Sequence, residues 1–137
     1  NMLNLNSGSI SGFTYTFSPN MGFWAEVSAT ARYVHLVFGD TDNLTVSGLN
    51  VMSILFYHEG GNTVTIPSAQ GQHVNFGITV DGSAEYYSAG SVTLTIEEFT
   101  DSRLIGFMSG ECVNNSTSET VNIAMYIDIG MAQLAAQ

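Results

Sequence analysis

A chain of 137 residues fits one domain around one core, and residues 1–137 are read as a single unit. Only 10% of the residues are charged, well below the roughly 25% usual in soluble domains, and the formal charge is -10: both basic residues are arginines, Arg32 and Arg103, and lysine is absent. That sign repels phosphate, so nucleic acid and anionic membrane are excluded as expected partners, while divalent cations and basic protein surfaces fit it.

Apolar residues alternate with period two from end to end, and no window has the 3.6 period of an amphipathic helix. The expected fold is therefore all-β: an antiparallel β-sandwich or flattened barrel of about eight to ten short strands. Phe13, Tyr15 and Phe17 alternate with Thr14 and Thr16 in the first clear strand. "RYVHLVF" (32–38) and "VMSILFYHE" (51–59) are apolar on both faces, as central strands covered on both sides would be. In "HVNFGITV" (73–80), Val74, Phe76, Ile78 and Val80 share one face, and His73, Asn75, Gly77 and Thr79 the other. "TVNIAMYIDI" (120–129) puts Val121, Ile123, Met125, Ile127 and Ile129 toward a core. Turn residues separate these runs at "GDTDN", "EGGN", "SAQGQ", "DGSAE", "TDS" and "NNSTS". "GMAQLAAQ" (130–137) loses the alternation and reads as a tail or a short helical turn.

Between Gly90 and Gly110 lie Glu97, Glu98, Asp101 and Arg103, the densest charge in the chain. A hairpin folded about Thr100 and Asp101 pairs Glu98 with Arg103, Ile96 with Ile105 and Leu94 with Phe107, which predicts a structural ion pair between Glu98 and Arg103. Adjacent strand residues point to opposite faces, so Glu97 and Glu98 are not expected to face each other across a substrate as a glycosidase pair must.

Other constellations point more weakly to chemistry. Asp40, Asp42 and Asn43 form an oxygen-rich group of the kind calcium prefers, inside a stretch that reads first as a hairpin turn. They are the candidate calcium ligands, and no other cofactor is expected. His35, His58 and His73 lie on three different strands, without the close spacing of zinc sites. No Gly-x-Ser-x-Gly elbow, P-loop or dinucleotide fingerprint occurs. No catalytic residue is therefore assigned, and the protein is not expected to be an enzyme. Among Phe23, Trp24, Tyr33, Tyr57, Tyr86 and Tyr87, the flat rings of Trp24, Tyr86 and Tyr87 are the candidate ligand contacts, with at most one of the two adjacent tyrosines on the interior. Asparagine sequons stand at Asn43, Asn114 and Asn115.

Cys112 is the one cysteine and reads as a strand-end or core thiol. No apolar run reaches the 18 residues of a membrane-spanning helix. Asn1 precedes Met2, which suggests a removed leader or an added residue, and the low-charge Ser/Thr/Asn/Gly-rich composition points to an extracellular or cell-surface protein.

Gly22, Trp24 and "LTVSG" (44–48), followed by "YYSAGSVTLTIEEFTDSRLIGFMSG" (86–110), resemble a group of exported, often lipid-anchored β domains of Bacteroidota. The resemblance spans Gly22 to Gly110 and implies an exported β-sandwich, with no catalytic residues to carry over.

These readings converge on an exported or surface-exposed binding, adhesive or matrix module that meets a protein or carbohydrate surface, without membrane insertion. The first alternative is a self-assembling subunit of a filament, coat or virion surface, because lysine, which commonly blocks strand addition at sheet edges, is missing. The second is a calycin-like carrier of a small ligand, disfavoured by the shortness of the strands.

Overall fold

The structure is a computed structural model and describes residues 2–5, 13–16, 21–39, 48–68, 70–80 and 83–134. Ten strands run through them: β1 (Met2–Leu5), β2 (Phe13–Thr16), β3 (Met21–Glu26), β4 (Arg32–Gly39), β5 (Gly48–His58), β6 (Thr63–Ile66), β7 (His73–Val80), β8 (Ser83–Phe99), β9 (Arg103–Asn114) and β10 (Thr120–Gln133). No helix occurs among the described residues, so the chain is all-β. Asp40, Asp42 and Asn43, the candidate calcium ligands, lie outside the described residues.

Seven strands close on themselves in the order β10, β3, β4, β5, β7, β8, β9 and back to β10, which makes a barrel rather than two separate sheets. Two long strands make closure possible. β8 has 17 residues and spends one edge twice, on β7 from Ser83 to Ser88 and on β6 from Val92 to Thr95, while β9 lies along its other edge. β10 has 14 residues and pairs with β1 from Ile123 to Tyr126, then with β3 from Gly130 to Gln133. The last pairing is parallel, the others antiparallel. The expectation of a wholly antiparallel sheet is corrected at this seam.

The expected tail (130–137) is corrected at the same place as far as residue 134, residues 135–137 lying outside the described residues. Residues 130–133 continue β10, Met131 is buried against the core, and the Leu134 amide donates to the Trp24 carbonyl. Gly130 and Ala132 hide the alternation from a hydropathy reading, but the parallel partner supplies the missing hydrogen bonds.

Alternation elsewhere fills the barrel. Val34, Leu36 and Phe38 of β4, Met52, Ile54 and Phe56 of β5, and Val74, Phe76 and Ile78 of β7 meet Leu94, Leu104, Met108 and the inward residues of β10 in one buried cluster. Each such side chain contributes on the order of 1.5–3 kcal/mol by leaving water. Cys112 belongs to this cluster, and burial pushes its thiol up to about 12, so it is a core residue and not a nucleophile at neutral pH. The expectation that β4 and β5 are central strands covered on both sides is corrected: in a closed barrel every strand has two neighbours, and their second face carries no further layer among the described residues. Tyr33, His35, Val37, Ser53, Leu55 and Tyr57 stay half-buried by shielding one another, with Tyr33 and Tyr57 in edge contact at 5.8 Å.

The charged hairpin has a different register from the expected one. Thr100 caps a longer turn: its amide donates to the Arg103 carbonyl at 2.8 Å, and its hydroxyl accepts from the amides of Ser102 and Arg103. Phe99 therefore faces Leu104, Glu98 faces Ile105, and Leu94 faces Met108. A bulge at Glu97, between Ile96 and Glu98, interrupts the alternation so that both glutamates are exposed. The expected Glu98–Arg103 pair is replaced by Arg103–Asp128, in which Nε and Nη2 of the guanidinium donate to the two carboxylate oxygens at 2.9 and 2.8 Å. Glu98 adds only a lesser attraction to the arginine.

Candidate functional site

Gly77 sits in the middle of β7 on the outer face, opposite Val51 of β5 and Tyr86 of β8. Gly77 is buried and brings no side chain of its own, so its backbone forms part of the floor between its neighbours. The result is a groove of about 460 Å³ bordered by Ser53, Asn75, Gly77, Tyr86, Ser88 and Asn115, with Phe76 and Tyr87 beneath. Its polar lining is made of hydroxyls and amides, with no formally charged side chain.

Register explains which residues meet here. Ser53 is opposite Asn75, and Asn75 is opposite Ser88, so the three form one row across β5, β7 and β8. The Ser88 hydroxyl donates to Asn115 Oδ1 at 2.9 Å, which ties the far wall to the turn after β9. That turn is built by Asn114, 4% exposed, whose Oδ1 accepts from the amides of Ser116 and Thr117 and whose amide nitrogen donates to Glu85. Of the two sequons there, Asn114 is thus buried in turn contacts, whereas Asn115 is exposed.

The next row along the barrel is His35, Leu55 and His73, from β4, β5 and β7. Both imidazoles lean over the central strand toward Ser53: its Oγ lies 2.9 Å from His35 Nε2 and 3.0 Å from His73 Nε2. A serine hydroxyl has one proton, so with both rings neutral one Nε2 accepts it and the other donates to the oxygen. Burial, and secondly the neighbouring His35, hold His73 below the usual histidine range and favour its neutral form. His58 stands apart: its Nε2 bonds the Gly61 carbonyl at 2.8 Å and its ring tilts against Phe99.

The candidate ligand contacts separate. Tyr86 is 57% exposed and forms one rim of the groove. Tyr87, its neighbour, is 1% exposed and stacks on Phe76 with ring centroids 5.1 Å apart, as the split between faces required. Trp24 is 3% exposed, donates from its indole nitrogen to the Asp101 carbonyl at 2.9 Å, and carries the Arg32 guanidinium 3.9 Å above its ring. Arg32 in turn pairs with Asp101 at 2.8 Å. Trp24 and Tyr87 are therefore corrected from surface contacts to packing residues, because large rings on inward positions complete the core.

Comparison with family models, curated proteins and solved structures finds no match. Sequence reasoning missed Ser53, Asn75, Gly77, Ser88 and Asn115, although alternation had already put His73, Asn75 and Gly77 on one face. What it lacked was the β5–β7 register, which joins residues some twenty positions apart.

Proposed function

We propose that the chain is an exported or surface-exposed binding module whose groove at Gly77 takes an uncharged, hydroxyl-rich ligand of the carbohydrate class. The observation that carries this is the lining: an exposed tyrosine ring beside a row of serine and asparagine side chains, with no charge. A sugar presents an apolar face to an aromatic ring and hydroxyls to amides, and the groove offers both. The lysine-free, Ser/Thr/Asn-rich composition and the resemblance to exported Bacteroidota domains support the compartment.

A glycan array followed by calorimetry on the best ligand tests the reading. Tyr86→Ala is expected to weaken binding about tenfold, the loss of one ring contact and its buried area. Gly77→Val is expected to abolish it by placing a side chain in the groove, read in a variant that circular dichroism shows to be folded. Binding indifferent to both substitutions, or an array with no ligand, would sink the proposal.

Self-assembly is the second reading, favoured by Phe107 and Tyr126, directly opposed on β9 and β10 and 43% and 45% exposed. A calycin-like carrier ranks below both. Its strands are longer than the sequence suggested, but the barrel interior is occupied by packed side chains.

A further inference from the structure

We propose that His35 and His73 form a two-imidazole site for a divalent transition-metal ion of the copper, nickel or zinc class, open toward the groove. The proposal rests on the histidine geometry alone and is independent of the carbohydrate reading.

The two histidines are placed by backbone register rather than by flexible loops. Each stands opposite Leu55, on either side of β5, so they occupy the same level of the barrel two strands apart. Neighbouring strands are about 4.8 Å apart, which leaves roughly 10 Å between the two backbones, a span that two inclined imidazoles close from both sides. Ser53 is small enough to let them lean inward. Because both Nε2 atoms bond one oxygen, their ring edges face a common point, and both rings are half-buried and held.

A common point faced by two imidazole nitrogens is also where a metal ion of this class binds. Copper, nickel and zinc favour imidazole nitrogen, at about 2.0–2.1 Å for zinc. Since the Nε2–Oγ distances are 2.9 and 3.0 Å, the ion takes the hydroxyl's place as the shared partner, with the rings moving inward and Ser53 turning aside or serving as a weak oxygen donor. The ring that had carried its proton on Nε2 carries it on Nδ1 instead, so the imidazoles bind as neutral ligands. No third histidine, cysteine or carboxylate joins them among the described residues. The remaining coordination positions therefore go to water or to a donor atom of whatever occupies the groove, with Asn75 alongside.

The net charge of -10 attracts divalent cations without regard to site, so the test must separate imidazole ligation from general attraction. Copper(II), and separately nickel(II), is titrated into the folded protein by calorimetry, and the copper complex is read by electron paramagnetic resonance. One saturable equivalent is expected, with nitrogen hyperfine structure from two imidazoles. His35→Gln and His73→Gln should each weaken it by more than about tenfold, while His58→Gln leaves it unchanged, since loss of a direct ligand costs at least as much as loss of a supporting contact. Circular dichroism confirms that each variant is folded, and the hyperfine pattern of the wild type decides the matter if one is not. An all-oxygen spectrum, the absence of a saturable equivalent, or undiminished binding in a folded His35 or His73 variant would overturn the site.

Discussion

Arg103 illustrates how a residue's partner depends on one step of register. The sequence places Glu98 nearest to it, but the Thr100 turn moves Glu98 opposite Ile105, and Asp128 of the neighbouring strand takes the guanidinium in two hydrogen bonds. Those bonds hold the Asp128 carboxyl below its ordinary value of 3.8. The folded state thus binds this proton less readily than the unfolded chain, so the stabilisation from the pair is complete above pH 3.8 and disappears as pH falls through the lower folded value. Arg103→Ala is expected to lower the melting temperature slightly at neutral pH, by an amount that shrinks toward zero in increasingly acid buffer. A gap between wild type and variant that stays constant as the buffer is acidified would contradict the assignment. The exposed setting makes the neutral-pH effect small. Trp24 and Tyr86 were offered together by the sequence as candidate ligand contacts, and burial assigned Trp24 to the core and Tyr86 to the rim of the groove.

Among the elements, β8 and β10 carry the architecture, since each pairs with two different strands along one edge. The seam between β10 and β3 is the point of closure, and Met131 is buried there beside Gly22, where an added side chain would meet the methionine sulfur and Leu36. Met131→Ala is expected to cost about 2–5 kcal/mol in urea unfolding, as for other large-to-small core changes, whereas a loose tail would tolerate it within about 0.5 kcal/mol. The strand character of β7 and most of β10 was legible in period-two alternation, that of β4 and β5 in apolar runs bounded by turn residues, and that of β9 in its place after the Thr100 turn. Their pairing was not, because alternation says which face a residue occupies and nothing about which strand lies beside it. The bulges at Gly90 and Glu97 add to the difficulty, as Gly110 shows: its φ is +151°, and a Cβ there would come within 2.7 Å of Val92 Cα. A backbone approach of that kind leaves only a glycine as its trace in the sequence.

For the molecule as a whole, a strongly negative net charge opposes self-association, while the Phe107–Tyr126 pair and lysine-free strands favour it. Light scattering decides between them: a binding module is expected as a monomer at low salt and at physiological salt. Ordered high-mass species that dissolve on Phe107→Ser would put self-assembly first. Run with and without calcium, the same measurement also bears on Asp40, Asp42 and Asn43. The sequence by itself determined the all-β class, the inward faces of β7 and β10 and the character of Cys112, because side-chain direction alternates along a strand without reference to anything distant. Only the tertiary structure decided that the sheet closes into a barrel, that Arg103 belongs to Asp128, and that Ser53 lies between His35 and His73. Those facts depend on lateral pairing between segments far apart in the chain, where the backbone hydrogen bonds are the same for every residue and the register is set by the packing of the whole core.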